Sequence, residues 1–247
     1  MLHFMVYRLL ILMAAWSLCG VAAAGVTLVN NRIVYPSNAR QVDLVATNDT
    51  GEASLIQVWT DDGDQTLTPD NAITPFTISP PLARVMPGTS QTLRIIHTGG
   101  DLPMNKESLF WFNLLDTPPK PKGDGEQNFI QFAMRSRFKM FYRPVGLPGS
   151  AFSAPSAMGW KLDTSHTPPQ LEGTNNSPFF INLARIQTVR GAQATAEFLP
   201  TIVPPFQSKV FPLHKSEEGL NSSSAVKFQF IDDYGAYRDV ELPLTLP

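Results

Sequence analysis

The chain has 247 residues, of which 43% are hydrophobic and 16% charged, and its 19 basic and 21 acidic side chains give a net charge of −2 at pH 7. A nearly neutral chain has no electrostatic reason to bind a polyanion, so we do not expect nucleic acid as a partner. The single cysteine, Cys19, excludes an internal disulfide framework and a cysteine metal site.

The start of the chain has the composition of a secretory signal peptide. Arg8 precedes an apolar run of residues 9–21, and small residues follow at positions 22–24. The apolar run is shorter than the ~20 residues of a membrane-spanning helix, and no later stretch approaches that length. We therefore predict that residues 1–24 are removed on secretion and that the mature protein is not membrane-embedded.

Short β-type runs alternate with turn-rich clusters from residue 25 onward, about every ten residues, as in an antiparallel sandwich. The 22 prolines and 16 glycines disfavour long helices, and the 16 phenylalanines favour a pleated surface. The strand-like runs of the first half are residues 26–35, 41–47, 55–60, 90–97, 109–115 and 127–143.

A stiff segment of residues 144–149, with two prolines and two glycines, separates the two halves. The strand-like runs of the second half are residues 160–162, 179–186, 194–199, 208–211, 225–231 and 238–244. The sequence therefore predicts an all-β protein with an N-terminal domain of residues 25–145 and a C-terminal domain of residues 146–247.

No arrangement of residues indicates catalysis or metal binding. The histidines after the predicted signal, His97, His166 and His214, show no metal-binding spacing and lie near no nucleophile motif. Residues 61–64 have the clustered acids of a calcium loop but lack the closing glutamate, so a hairpin turn explains them better. We expect no cofactor, no metal and no enzymatic activity.

The run of residues 127–143 is far longer than the about five or six residues of an ordinary strand. Ile130, Phe132 and Met134 alternate along it and share one face. Either these side chains pack into the protein's own core, or they face outward and need a partner to cover them. In the second alternative the core is filled from other positions of the run: Phe129, Ala133 and Phe141. The pattern alone leaves both alternatives open.

Residues 102–119, LPMNKESLFWFNLLDTPP, resemble the signature of periplasmic pilus chaperones, the PapD-like family. The resemblance includes the acidic–serine pair at Glu107, the aromatic run, Asn113 and the terminal proline pair; Thr117 departs from the aliphatic residue that is usual there. Three further segments agree: NNRIVYP around Arg32, RFKMFYRP around Lys139 and Arg143, and IDDYGAYR around Asp233.

This resemblance implies two immunoglobulin-like β-sandwich domains set at an angle, with a cleft between them. It also implies a periplasmic chaperone that binds, folds and caps pilin subunits by donor-strand complementation and delivers them to an outer-membrane usher for pilus assembly. The site residues it implies fall into three groups. The donor-strand apolar residues are Ile130, Phe132 and Met134. The anchor for the subunit's C-terminal carboxylate is Arg32 and Lys139. An interdomain ion-pair network consists of Glu107, Arg143 and Asp233.

The connection of residues 118–126 is short and resembles the family's short-loop class, which is associated with rod-forming pili. Whether the free protein self-associates through its donor strand is left open. The alternative function is a secreted immunoglobulin-like adhesin or pilus structural subunit. Such a subunit needs an N-terminal donor extension, and Arg32 follows Gly25 by only seven positions, which leaves no room for one. A glycan-binding or hydrolytic function ranks third.

Overall fold

The computed structural model describes residues 25–120, 130–166, 169–190, 193–198, 200–213 and 224–246. The predicted signal peptide (residues 1–24), most of the predicted short connection (residues 121–126) and the start of the long run (residues 127–129, with Phe129) lie outside the described residues.

The first domain is a sandwich of two β-sheets. Its strands are β1 Val26–Leu28, β2 Arg32–Pro36, β3 Val42–Asn48, β4 Ser54–Asp61, β5 Phe76–Ser79, β6 Leu82–Val85, β7 Ser90–His97, β8 Ser108–Thr117 and β9 Met134–Arg143. One sheet has the order β1-β3-β7-β5 and the other the order β2-β9-β8-β4-β6. All these pairs are antiparallel except β2 with β9, which is parallel.

Alternate residues of both sheets fill the first core, as period-2 strands with one buried face require. On β9, Met140 and Tyr142 are buried in this core and Phe138 packs against it. The intervening residues of β9 therefore point to the outer face of the sheet.

The second domain is built in the same way. A 3-10 turn at Ala154–Ala157 precedes β10 Gly159–Asp163, β11 Gln170–Thr174, β12 Ile181–Arg190, β13 Gln193–Phe198, β14 Thr201–Val203, β15 Ser208–Pro212, β16 Ala225–Ile231 and β17 Tyr237–Pro243. One sheet has the order β10-β11-β15; the other has the order β13-β12-β16-β17, with β14 also pairing β12. Trp160 and Phe228 lie in its core, with ring centroids 5.5 Å apart.

The prediction of an all-β, two-domain immunoglobulin-like fold is confirmed. The prediction of one strand over residues 26–35 is wrong, because the chain leaves the first sheet after Leu28 and enters the second at Arg32. The structure also contains short strands that were not predicted: β5, β6, β11 and β14. The boundary between residues 145 and 146 stays a prediction; it falls between the end of β9 and the start of β10.

Candidate functional site

One edge of β9 lacks a neighbouring strand over half its length. β8 pairs with β9 from Met134 to Tyr142, whereas β2 pairs only with residues 139–143. In the part of the chain that the structure describes, residues 134–138 therefore have no partner on the β2 side. We call this stretch the open edge. Unpaired N–H and C=O groups at such an edge can accept a strand from another chain.

The predicted donor residues are the most exposed large apolar side chains around this edge. Ile130 is 82% exposed, Phe132 is 77% exposed and Met134 is 61% exposed. These values favour the outward-facing alternative, because a side chain packed in the first core would be nearly inaccessible. Ala133 is also exposed, so its predicted place in the core is wrong. Phe141 is buried, but against Phe180 of the second domain, with ring centroids 5.8 Å apart.

The strand itself is shorter than the predicted run of residues 127–143. It begins at Met134, opposite Asp116 on β8. β8 ends at Thr117, and Pro118 and Pro119 have no N–H to continue the ladder. Residues 130–133 consequently pair with no strand in the described part of the chain, although Gln131 Nε2 donates a hydrogen bond to the Pro118 carbonyl at 2.5 Å.

Arg32 and Lys139 meet where the open edge ends. Arg32 is the first residue of β2 and is aligned with Lys139 in the parallel register. Arg32 is only 8% exposed. Lys139 Nζ donates a hydrogen bond to Asn182 Oδ1 of the second domain at 2.8 Å. Among the described residues, no carboxylate lies within ion-pair distance of either cation.

The electrostatics of this pair suit an anion. Burial lowers the pKa of the Lys139 ammonium, and the positive charge of Arg32 lowers it further. Burial also lowers the pKa of the Arg32 guanidinium, against the opposing charges of Asp233 and Asp232. Two desolvated like charges cost free energy until an anion joins them. A guanidinium fork beside an ammonium can bind both oxygens of a carboxylate.

Arg32 also lines a cavity of about 350 Å³ between the two domains. Arg143, Asp233 and Tyr234 contribute to the same wall, and the Tyr234 side chain is 95% exposed. Arg32 is therefore accessible from this cavity, although most of its surface is buried.

The three residues predicted to form an ion-pair network are in contact. Arg143 Nε donates to Glu107 Oε1 at 2.5 Å. Its Nη1 and Nη2 donate to the two carboxylate oxygens of Asp233 at 2.7 and 3.0 Å. Glu107 Oε2 accepts the Phe180 N–H at 2.7 Å, and the Glu107 N–H donates to the Pro178 carbonyl at 2.9 Å. These bonds join the end of β9 to two separate segments of the second domain.

Burial dominates the protonation behaviour of Glu107. It raises the pKa of that carboxyl, even though Arg143 and the Phe180 N–H both favour the charged form. Burial also opposes the charge on Arg143, but the hydrogen bonds and charges of Asp233 and Glu107 outweigh it and raise the pKa of the guanidinium. The network is therefore strongly coupled, and removal of Arg143 would leave Glu107 buried without a counter-ion.

Several contact residues of the second domain were not predicted from the sequence. Asn182 is one of several polar residues of β12, and no local pattern assigns it to Lys139. Gly235 has φ +83°, and a Cβ at this position would lie 2.5 Å from Asn31 Oδ1. The β16–β17 hairpin therefore contacts the first domain next to Arg32, and glycine suits both the positive φ and the close approach at this position.

A second unpredicted cluster lies on the outer face of the β9 sheet. Asp61, which is fully buried, pairs with Arg137 at 2.6 Å and with Arg135 at 3.5 Å. Asn113 contacts all three side chains. We call these four residues the arginine cluster. Asp61 also accepts the Gly63 N–H at 2.8 Å in a turn. The expected hairpin is wrong, because β4 and β5 belong to different sheets.

Within the described ranges, no group of three or more His, Cys, Asp or Glu side chains is arranged to hold a metal ion. No helix in the described part of the chain has the length and apolar character needed to cross a membrane.

The geometry defines a class of protein: a two-domain immunoglobulin-like molecule with an unpaired strand edge that ends at a buried arginine and a half-buried lysine. Two family models match the chain. Residues 25–148 match the N-terminal domain of PapD, a pili and flagellar-assembly chaperone. Residues 153–242 match the C-terminal domain of the pili assembly chaperone PapD.

Individual relatives agree with the family models. The chaperone protein HifB of Haemophilus influenzae is 36% identical over 224 residues, which cover 89% of this chain and 88% of HifB. The crystal structure of the Pseudomonas aeruginosa CupB2 chaperone superposes with a TM-score of 0.74 at 29% identity, covering 89% of this chain and all of CupB2. The Salmonella enterica SafB chaperone, solved in complex with the SafA pilin, shares the fold (TM-score 0.72, 23% identity, 91% of this chain and 99% of that one).

The chain belongs to the PapD family of pilus-assembly chaperones. This membership supersedes the alternative of an adhesin or pilus structural subunit. The roles of the individual site residues rest on the geometry and are proposed below.

Proposed function

We propose that this protein completes the fold of a pilin subunit by placing the open edge of β9 beside the subunit's last strand. The observation that carries the proposal is an unpaired edge that begins at exposed apolar side chains and ends at a buried arginine and a half-buried lysine. Each part has a matching partner in an incomplete β-sandwich: a free strand edge, an apolar groove and a terminal carboxylate.

The direction of the bound strand follows from the positions of these parts. β9 runs from Met134 towards Lys139, and the carboxylate at the end of the client is bound at Arg32 and Lys139. The client strand must therefore run parallel to β9. It stops where β2 begins, so the client strand and β2 occupy the same edge end to end.

The apolar side chains supply most of the affinity. Ile130, Phe132 and Met134 are exposed in the free protein, so binding removes nearly all of their surface from water. Burying one such side chain contributes about 1.5–3 kcal/mol. The ladder hydrogen bonds of residues 134–138 add a net contribution of about 0.5–1.5 kcal/mol each.

The cation pair sets the register of the added strand. A one-residue slip would turn every client side chain to the opposite face, so a fixed terminus selects one register. Lys139 lies on the opposite face of β9 from Met134, and the β8–β9 register runs between them without a bulge. Both can serve one client, because a strand added at the edge lies in the plane of the sheet. Lys139 can then reach the client's terminal carboxylate from the cleft face, while other residues of the client strand contact the donor residues.

The network of Glu107, Arg143 and Asp233 fixes the angle between the domains. The bidentate contact of Arg143 with Asp233 is specific in direction, and Glu107 adds contacts at Pro178 and Phe180. A fixed angle keeps Asn182 and the Asn31–Gly235 contact in place around the cation pair. We regard this network as structural.

The remaining parts of the proposal follow from family membership. The protein acts in the periplasm after loss of its signal peptide, binds pilin subunits and delivers them to an outer-membrane usher. It acts by binding, without enzymatic turnover and without a cofactor. The solved complex of the SafB chaperone with the SafA pilin supports a pilin as the client class. The predicted short connection supports the short-loop class.

Co-expression with a pilin subunit tests the anchor. Wild type should recover soluble subunit, whereas Arg32→Ala and Lys139→Ala should each lose most of it. Arg84→Ala is the matched control, because Arg84 is an exposed cation on β6 at the far edge of the same sheet. If both anchor variants recover as much soluble subunit as the control does, the anchoring assignment is wrong.

A further inference from the structure

We propose that Asp61 and Asn113 are positioning residues, which act through Arg135 and Arg137 to hold the open edge of β9 extended before a client arrives. The inference rests on the proposed function, since it assigns the arginine cluster a part in strand donation. It concerns residues on β4 and β8 that lie outside the donor residues, the anchor and the interdomain network.

The open edge needs support because only one strand holds it. Residues 134–138 pair with β8 alone, and the residues just before them pair with no strand in the described part of the chain. An edge strand with a single neighbour frays more readily than a central one. Two of its five residues, Arg135 and Arg137, point to the outer face and carry the cluster.

The cluster satisfies each of its buried polar groups. Asp61 Oδ1 accepts from Arg137 Nη2 at 2.6 Å, and Asp61 Oδ2 accepts from Asn113 Nδ2 at 2.7 Å. Asn113 Oδ1 accepts from Arg135 Nε at 3.0 Å, from Arg135 Nη2 at 2.8 Å and from Arg137 Nε at 3.2 Å. Arg135 Nη1 also donates to the Gln65 carbonyl at 2.8 Å. Both arginines are therefore fixed by several bonds each.

Two tryptophans contact the arginine cluster. The Arg135 guanidinium lies over the Trp59 ring and the Arg137 guanidinium lies over the Trp111 ring, each 4.7 Å from the ring centroid. Trp59 is on β4 and Trp111 is on β8, so the contacts cross three adjacent strands. Cation–π contacts of this kind strengthen when they are shielded from water, and the two arginine side chains are only 28% and 15% exposed.

The burial of Asp61 makes the arginine cluster hard to disrupt. If residues 134–138 left β8, both arginines would leave with them, and a fully buried carboxylate would lose its counter-ions. Fraying of the open edge therefore costs free energy at Asp61, which lies on β4, two strands away from the edge. The benefit is preorganisation: a donor strand that is already extended loses less conformational freedom when a client binds.

Hydrogen exchange in the free protein gives the first test. Asp61→Asn should speed deuterium uptake at residues 134–138 by about tenfold, with the second domain unchanged. Asp62→Asn is the matched control, since it removes the same charge from an exposed neighbour in the same turn. Unchanged uptake at residues 134–138 in Asp61→Asn would overturn the proposal.

A reversible cross-link gives the second test and separates positioning from direct contact. Leu115 and Arg135 are opposite each other on β8 and β9, so Leu115→Cys with Arg135→Cys places two thiols across the pair. This pair is combined with Asp61→Asn. The reduced form should bind a client strand about tenfold more weakly than wild type, and oxidation should restore the affinity. If the triple variant does not fold, the reduced and oxidised forms of the two-cysteine pair are compared in a chain that keeps Asp61.

The probe is a synthetic peptide of about ten residues that alternates valine with lysine and threonine and ends in a free carboxylate. Its C-terminal amide is measured in parallel. If the oxidised variant binds the peptide as weakly as the reduced one, the cluster contacts the client directly and the positioning role is wrong. If wild type binds acid and amide equally, the anchor in the proposed function has failed instead.

Discussion

Replacement of Arg143 by alanine should destabilise the protein far more at neutral pH than in mild acid. Arg143 is the ion-pair partner of Glu107, whose side chain is 1% exposed. Breaking a buried pair by removing one member costs about 3–5 kcal/mol. Glu107 keeps the Phe180 N–H as a donor at 2.7 Å, so we expect the lower end of that range, about 3 kcal/mol.

The pH dependence follows from the direction of the Glu107 pKa shift. Burial already holds the pKa of Glu107 above its usual value, and loss of Arg143 raises it further. A carboxyl whose folded pKa exceeds its unfolded pKa favours folding at low pH, and this contribution is lost as the pH rises from the unfolded pKa to the folded one. Below the unfolded pKa of glutamate, about 4.3, the protonated side chain needs no counter-ion and most of the penalty disappears.

Urea unfolding at neutral pH and in mild acid, followed by tryptophan fluorescence, measures the effect. Glu107→Gln combined with Arg143→Ala should regain at least half of the stability lost at neutral pH, because an amide can accept the Phe180 N–H without a charge. Arg84→Ala serves as the exposed control. An equal loss at both pH values, with no recovery in the double variant, would refute this account of the network.

Phe132→Ala should weaken client binding in calorimetry by at least about tenfold, since a buried aromatic contributes about 1.5–3 kcal/mol. The melting temperature of the free protein should not change, because Phe132 is 77% exposed; a lower melting temperature would place Phe132 in the protein's own core. Carboxylate binding should raise the lowered pKa of Lys139, so affinity should fall as the pH rises from its free-state pKa to its bound-state pKa. Calorimetry in two buffers of different ionisation enthalpy should detect proton uptake that Lys139→Met abolishes; uptake that persists in the variant assigns the proton to another group. Gly235→Ala should lower thermal stability more than Gly88→Ala, because both glycines have positive φ but only Gly235 would clash, with Asn31 Oδ1 at 2.5 Å. Equal losses would show that the contact with Asn31 is adaptable.

Much of the fold could be predicted because alternation and turn chemistry are local. The run at residues 109–115 is apolar on both faces, and the structure places β8 in the middle of its sheet. The split of residues 26–35 was not predictable in the same way. Residues on both sides of the break are mostly apolar, and the polar pair Asn30 and Asn31 between them does not by itself show that the chain changes sheet. The β5 and β6 strands are four residues each and lie on either side of Pro80 and Pro81, so each is too short for alternation to identify it as a strand.

Some residues of the candidate site could likewise be predicted from the sequence, and others could not. The family resemblance assigned Arg32 and Lys139 as a pair, and the parallel register of β2 and β9 supplies the reason they are adjacent. The arginine cluster joins residues 61, 113, 135 and 137, which alternation alone assigns merely to the outer face of three strands. Asn182 is one of several polar residues of β12, and its spacing does not single it out. Long-range partners of this kind depend on strand order and on the position of the second domain, which a local pattern does not encode.

A crystal structure of the protein with a pilin subunit bound is the most direct test of strand donation. We predict that the subunit's last strand is parallel to β9 along residues 134–138 and that its terminal carboxylate lies within hydrogen-bond distance of Lys139 Nζ and the Arg32 guanidinium. Ile130, Phe132 and Met134 should be buried in the subunit's groove. A complex in which these three side chains pack inside the chaperone's own first domain, with the subunit terminus elsewhere, would contradict the proposal.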